Sequence, residues 1–383
     1  MKNGVERRLF VAATSQNDGK TTCTLGLIKA LRSHAESVGF IKPVGQRYVV
    51  VDGLHVDEDT LLIQKACGLS CPLKAMSPIA IERDFTRRFL DNPESMLPEL
   101  ENAIRTSFAV AAEGNDLVVI EGTGHAGVGD VFDLCNARVA QMLKARVVIV
   151  TGGGIGRPVD EVAVSRCLFE RAEVPVIGVI ANKVLPEKLE QSRCYLSRAF
   201  ARKGLPVLGV MPFVPRLTWP TVGRVAESLH AEVLNAPGFL SNEIAEILIG
   251  AMTPHHALNY LVDKALLVVP GDRDDIVLAA VTTDLLREEM ELSGIVLTGG
   301  LRLSPQTMEL VTRTHVPVLA VDCATYEAAA RIHDTVVKIL DTDEEKISIA
   351  TALVRDHVDL DALWHALEGD LTPGPPPCHP NPA

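Results

Sequence analysis

Six short apolar runs follow one another through the first half of this chain: RLFVAAT, SVGFIKPV, DLVVIEG, ARVVIVTGG, VPVIGVIANK and LPVLGVMP. Helix-length segments separate most of them. A strand that is apolar throughout has to be covered on both faces. Strands of that kind alternating with helices therefore predict βαβ units and a buried parallel sheet. Three strands, the last in the second half, open alike, at Pro175, Pro206 and Pro317. Their spacing is irregular, so this is recurring architecture rather than a solenoid repeat. A proline suits the first position of a strand, where its missing N–H costs little.

The pattern breaks at RLTWPTV, residues 216–222. Beyond it, KALLVVPGDRDDIVLAA, SGIVLTGG and VPVLAVD form a second, smaller α/β pattern, followed by helical segments up to residue 367. The expected division is a nucleotide-binding domain at 1–220, a second α/β domain with C-terminal helices at 221–367, and a Pro-rich tail at 368–383. LTPGPPPCHPNPA cannot pack as a regular element and reads as disordered. A length of 383 residues fits two or three domains. A formal charge of −12 argues against nucleic acid or an anionic membrane as the main partner. The eight cysteines are scattered, and Cys67 and Cys71 lack a second pair that would complete a zinc site. With no secretory pattern and no apolar run of membrane-spanning length, the expected setting is the reducing cytoplasm.

The first run leads directly into SQNDGKTT and then a helical pattern that reads as amphipathic. The amides that open a helix are unpaired, and with the helix dipole they form an anion site. Gly19 lets the backbone approach a phosphate, Lys20 can reach its oxygens, and the Thr21 hydroxyl can hold Mg²⁺. Glu121 directly follows the strand DLVVI, at the end of a parallel strand where ligands collect. Asp59 is a second candidate metal ligand. A helix-capping acid is its simpler reading, and Asp57 is an equal rival. Lys42 ends another strand, as a crevice cation or as a surface lysine. Asn182 ends VPVIGVIAN, where it can read a base edge or cap the next helix. TGGGIGRP, Thr151 to Pro158, reads as a Gly-rich crevice loop facing the phosphate site rather than a dinucleotide fingerprint. His255, His256 and the two tryptophans read as structural.

Taken together, ATSQNDGKTT, GFIKPVG, VVIEGTG and VIANKV resemble the dethiobiotin synthetase-like P-loop family, which includes cobyrinic acid a,c-diamide synthases. DTLLIQ and MPFVP fit the same order, and the resemblance spans roughly residues 8–220. PGDRDDIVLAA and GIVLTGG resemble the DRTGG domain, and the pairing is similar to the N-terminal region of long bacterial phosphate acetyltransferases. No acetyltransferase catalytic domain is expected in this chain itself. The resemblance implies a doubly wound parallel sheet, ATP with Mg²⁺, and a homodimer. It places Thr21, Asp59 and Glu121 around the metal, Lys20 on the phosphates and Lys42 at the reacting group. Asn182 and Pro212 would flank the adenine. Thr14, Ser15, Asn17 and Asp18, continuing into Gly19 and Thr22, would line the nucleotide.

Three departures bear on function. Ala13 replaces the first loop glycine, KPVGQRY brings in Gln46, Arg47 and Tyr48, and Gly124-His125 replaces a Gly-Gly pair. Nucleotide-facing positions are kept while substrate-facing positions differ. This favours a nucleotide-responsive regulatory protein over an ATP-dependent carboxylate–amine ligase. In the second domain, Arg273 can bind an anion or pair with Asp274 or Asp275. Cys323 and the other cysteines lack a glutaminase setting. NKVLP has Leu185 where a guanine-reading Asp would stand, so ATP is expected rather than GTP.

Overall fold

The first-half runs form β1 (Arg7–Ala13), β2 (Val38–Ile41), β3 (Leu117–Glu121), β4 (Arg146–Thr151), β5 (Val176–Val184) and β6 (Val207–Pro212). All pair in parallel, in the order β6-β5-β4-β1-β3-β2. This is a computed structural model describing residues 7–287, 290–335 and 337–369. Every residue of β2 and β3 is buried, as the unbroken apolar runs require. The longer helices of this region are α1 (Lys20–Ala30), α2 (Glu58–Cys67), α3 (Pro93–Ala112), α4 (Gly156–Arg171) and α5 (Leu189–Ala201). Side chains alternate across the sheet. Phe10, Val118, Ile120 and Ile149 share one core with Phe108 of α3, Phe169 of α4 and Phe200 of α5. Leu9, Val11 and Ala13 belong to the other set, and α1 packs against β1 and β3. The sheet is doubly wound, with β1 at its centre.

The chain divides into two units. One contains residues up to 214 together with those from 339 onward, and the other is 215–338. In the second unit β7 (Glu232–Val233), β8 (Glu246–Ile249), β9 (Ala265–Pro270), β10 (Gly294–Thr298) and β11 (Val318–Ala320) lie in the order β7-β11-β10-β9-β8. Only the β7–β11 pair in this sheet is antiparallel. Its longer helices are α6 (Val222–Leu229), α7 (Asp274–Leu286), α8 (Pro305–Val311) and α9 (Thr325–His333). One sheet face, with Leu267, Val269, Ile295 and Leu297, packs on α7 and α8. The opposite face, with Leu266, Val268, Val296 and Leu319, packs on α6 and α9.

The last two helices differ from the sequence-based expectation. α10 (Glu344–His357) and α11 (Leu360–Glu368) pack on the first unit, not the second. Gly26 of α1 is the contact point. A Cβ there would lie 2.6 Å from Val354 Cβ and 2.8 Å from the Ala350 carbonyl oxygen. Because α10 covers it, α1 is buried continuously from Cys23 to Ile28 and is not amphipathic. Val358 then bridges Gly209 at the outer edge of β6, and Asp359 N–H donates to the Leu208 carbonyl at 2.7 Å. That contact protects an otherwise open edge. Trp364 of α11 receives the Arg7 guanidinium 4.2 Å from its ring centre, and Arg7 also pairs with Glu368. Glu368 is therefore helical rather than part of a tail. Residues 370–383 of the expected tail lie outside the described residues. No helix among the described residues is long and apolar enough to cross a membrane.

Candidate functional site

The loop from Thr14 to Gly19 joins β1 to α1 and is shaped largely by its own side chains. Asp18 accepts hydrogen bonds from the Ser15 amide at 2.6 Å and the Thr14 hydroxyl at 2.8 Å. Asn17 and Gly19 are left-handed, with φ of 71° and 93°. Gly19 is needed twice over, since a side chain there would also strike Asn182. Burial pushes the Asp18 carboxyl above the usual carboxylate range, against the Thr14 and Ser15 hydrogen bonds.

Gly19 is the N-cap of α1, and no side chain caps the helix. Cys23 N–H is bonded to the Gly19 carbonyl at 2.9 Å. The amides ahead of it lie at the positive end of the helix dipole without a capping group. Lys20 Nζ, next to them, donates to the Gly124 carbonyl at 2.7 Å. Burial pulls the Lys20 ammonium below the usual lysine range, with Glu121 opposing. The Thr21 hydroxyl donates to Glu121 Oε1 at 3.1 Å.

Behind Thr21 lies a buried charge cluster. Lys42, placed by the end of β2, meets Asp57 Oδ1 at 2.9 Å, Glu121 Oε1 at 3.2 Å and Asp59. It is 6% exposed, so the surface-lysine reading is excluded. Burial acts to lower the Lys42 pKa, but Asp59, Glu121 and Asp57 together outweigh it and hold the ammonium well above its usual range. Glu121 is 1% exposed, and its Oε2 has no hydrogen-bond partner. Burial raises its carboxyl pKa, with Lys42 opposing. The capping role considered for Asp59 falls to Asp57, whose side chain accepts from the Asp59 amide at 2.9 Å.

Asn182 and Lys183, at the end of β5, support the loop from the other side. Asn182 Nδ2 donates to the Asp18 carbonyl at 2.8 Å, and its Oδ1 accepts from the Lys183 amide at 2.9 Å. Lys183 Nζ reaches the Asn17 carbonyl at 2.6 Å. The Asn182 amide is thus already engaged with backbone. Pro212 is the register partner of Val184 at the end of β6, so it stands at the same end of the sheet. Thr22 is half-buried in the first turn of α1. The Gly-rich segment after β4 does adjoin the loop, and a Cβ on Gly152 would lie 3.5 Å from Asp18 Oδ1. Glu161 of α4 accepts from the Thr14 hydroxyl at 3.2 Å. Sequence reasoning passed over Lys183 and Glu161. Lys183 stood in view inside VIANKV, whereas Glu161 lies a helical turn beyond its motif.

Among the described residues, no group of three or more His, Cys, Asp or Glu is poised to hold a metal unaided. A P-loop Mg²⁺ draws on few protein ligands, completing its shell with phosphate oxygens and water. The Thr21 hydroxyl and the Asp59 and Glu121 carboxylates are hard oxygen donors, and the unpartnered Glu121 Oε2 is available to a cation. This donor set fits the ion. Among the residues that depart from the family pattern, Tyr48 stacks on His55 at 4.5 Å, and His55 Nδ1 meets Glu82 at 2.6 Å. In the second unit Arg273 forms a two-pronged pair with Asp275, at 2.8 and 3.0 Å, which is the ion-pair reading.

A profile of the AAA domain family AAA_26 matches residues 7–221, and one of the DRTGG domain matches residues 224–335. The phosphate acetyltransferase of Pseudomonas putida is 29% identical over 368 residues, covering 93% of this chain and 51% of that protein. That of Nitrosomonas europaea is 28% identical over 365 residues, covering 92% and 51%. The chain spans about half the length of the curated relatives it matches. A solved cobyrinic acid a,c-diamide synthase from Mycobacterium smegmatis, with bound ADP and magnesium, overlaps 55% of this chain and 88% of its own. It does so at 18% identity and a TM-score of 0.35.

Proposed function

Since the chain belongs to the AAA domain family AAA_26 and carries a DRTGG domain, we propose that it is a Mg-ATP-binding regulatory module related to the N-terminal half of phosphate acetyltransferases. The observation that carries this reading is the uncapped start of α1, with Lys20 and Thr21 beside an unpartnered, buried Glu121 oxygen. Amides of the first turn would hold phosphate oxygens, as the dipole favours. Lys20 would exchange the Gly124 carbonyl for the phosphates. Thr21, Asp59 and Glu121 would hold Mg²⁺, which neutralises phosphate charge when bound. Thr14, Ser15, Asn17, Asp18, Gly19 and Thr22 would shape the cradle, with Asn182 and Pro212 on the adenine side. The DRTGG-containing unit would take a second small ligand. The working form would be a cytoplasmic homodimer acting on small molecules rather than nucleic acid or membrane.

Calorimetric titration of ATP, ADP and GTP, with and without Mg²⁺, tests the assignment. Lys20→Ala should weaken Mg-ATP binding by about tenfold or more, equivalent to about 1.4 kcal/mol. Equal affinity in both proteins would overturn it. Basal ATP turnover should stay slow and insensitive to added carboxylic acids and amines.

A further inference from the structure

Three carboxylates surround one ammonium in the interior of the first unit. Asp57, Asp59 and Glu121 each pair with Lys42, and exposure of the four side chains' residues ranges from 1% to 7%. A formal count of these four groups leaves an excess of two negative charges, and the neighbouring Lys20 ammonium, which acts on Glu121 and Asp59, offsets one of them. Buried charges are kept only when compensated. Even so, one oxygen of the cluster, Glu121 Oε2, is buried with no hydrogen-bond partner. The other oxygen of the same carboxylate is shared by Thr21 and Lys42. A lysine is a point charge on a flexible stem, able to leave such a position without dragging backbone with it.

We infer that Lys42 is a tethered cation standing in for the divalent metal, holding Asp57, Asp59 and Glu121 together until a magnesium-nucleotide displaces it. This rests on the nucleotide reading above and adds a rule to it. The protein excludes free divalent metal, because the metal must compete with an ammonium already in place. A metal arriving with a triphosphate does not face the same barrier, because the phosphates offer Lys42 a new anionic partner. Asp57, the cap of α2, becomes a positioning residue that holds Lys42 in the metal-free state.

The test is electron paramagnetic resonance titration of Mn²⁺ into the nucleotide-free full chain. Wild type should bind Mn²⁺ weakly without nucleotide and much more tightly with ATP. Lys42→Met should raise nucleotide-free Mn²⁺ affinity by about tenfold or more, as expected when a competing state is removed. The Lys42→Met/Asp57→Asn double variant keeps the formal charge of the cluster and guards against misfolding. It should also bind Mn²⁺ more tightly than wild type. Two results would overturn the inference. In one, a folded variant binds Mn²⁺ no better than wild type. In the other, wild type binds it equally well with and without ATP. Loss of the Lys20 effect on Mg-ATP binding would instead remove the nucleotide reading, so the two failures are distinguishable.

Discussion

Gly26→Ala should destabilise the first unit, although an alanine in a helix ordinarily stabilises. Replacing a helical glycine gains about 1 kcal/mol of backbone propensity. Against this, the new Cβ would stand 2.6 Å from Val354 Cβ and 2.8 Å from the Ala350 carbonyl oxygen. Neither atom is the free end of a flexible side chain, so the contact can be relieved only by moving α10 off α1. Overpacking of this kind costs about 1–3 kcal/mol. With two rigid contacts at one methyl, the upper half of that range applies, leaving a net loss of about 1–2 kcal/mol after the propensity gain. The sequence contains two tryptophans. Trp364 lies in α11 of the first unit and Trp219 in the second. In a Trp219→Phe background, fluorescence during urea unfolding therefore reports on the first unit. With m of about 3 kcal/mol/M, the expected shift of the midpoint is about 0.3–0.7 M toward lower urea. Adding Val354→Ala should recover part of the loss, since the new methyl then fills the space vacated. A Gly26→Ala protein as stable as the parent would refute the packing of α10 on α1.

Two further substitutions separate the support of the phosphate loop from its charge. Asn182→Ala removes the donor to the Asp18 carbonyl. It should weaken ATP and ADP together by about 1–2 kcal/mol in calorimetry, the cost of a buried hydrogen bond, whereas a pure adenine contact would change the ATP-to-GTP ratio instead. Asp18→Asn keeps an oxygen for the Ser15 amide while removing a negative charge beside the phosphates. It should tighten Mg-ATP binding several-fold at low salt, with the gain shrinking as salt is raised; weaker binding at every salt concentration would show that the charge itself braces the loop.

The six strands and the loop after β1 could be read from sequence because their signals are local. An unbroken apolar run reports burial on both faces, and Gly19-Lys20-Thr21 at a strand-to-helix junction reports a tight turn into an uncapped helix start. The destination of α10 and α11 could not be read the same way. A helical apolar pattern says that one face is covered but not by what. Gly26, which lets α10 approach closely, lies far away in α1 and looks like an ordinary weak spot in a helix. Lys42 illustrates the same limit. Its position at the end of β2 was legible, but three carboxylates from separate stretches meet it only after the chain has folded. Which of Asp57 and Asp59 caps α2 was closed to the sequence as well. Two-residue spacing does not decide that, whereas the bond from the Asp59 amide to Asp57 does.

The same cluster bears on whether the site senses a nucleotide or activates an acid with it. A ligase needs a cation free to receive a substrate carboxylate, with little competing negative charge nearby. Here the cation at that position is already shared by Asp57, Asp59 and Glu121. Without a metal-nucleotide, a carboxylic acid approaching Lys42 would meet three carboxylates of its own sign, at separations where like charges disfavour one another strongly in a buried setting. On the proposed reading, a magnesium triphosphate would change that balance, because the ion would satisfy the carboxylates while the phosphates took over Lys42 and Lys20. On that same reading, the arrangement would discriminate between metal-bound and metal-free nucleotide. This is the behaviour expected of a module that reports on Mg-ATP. It also accounts for nucleotide-facing positions that keep the pattern of a P-loop family while substrate-facing positions such as Gln46, Arg47 and Tyr48 depart from it.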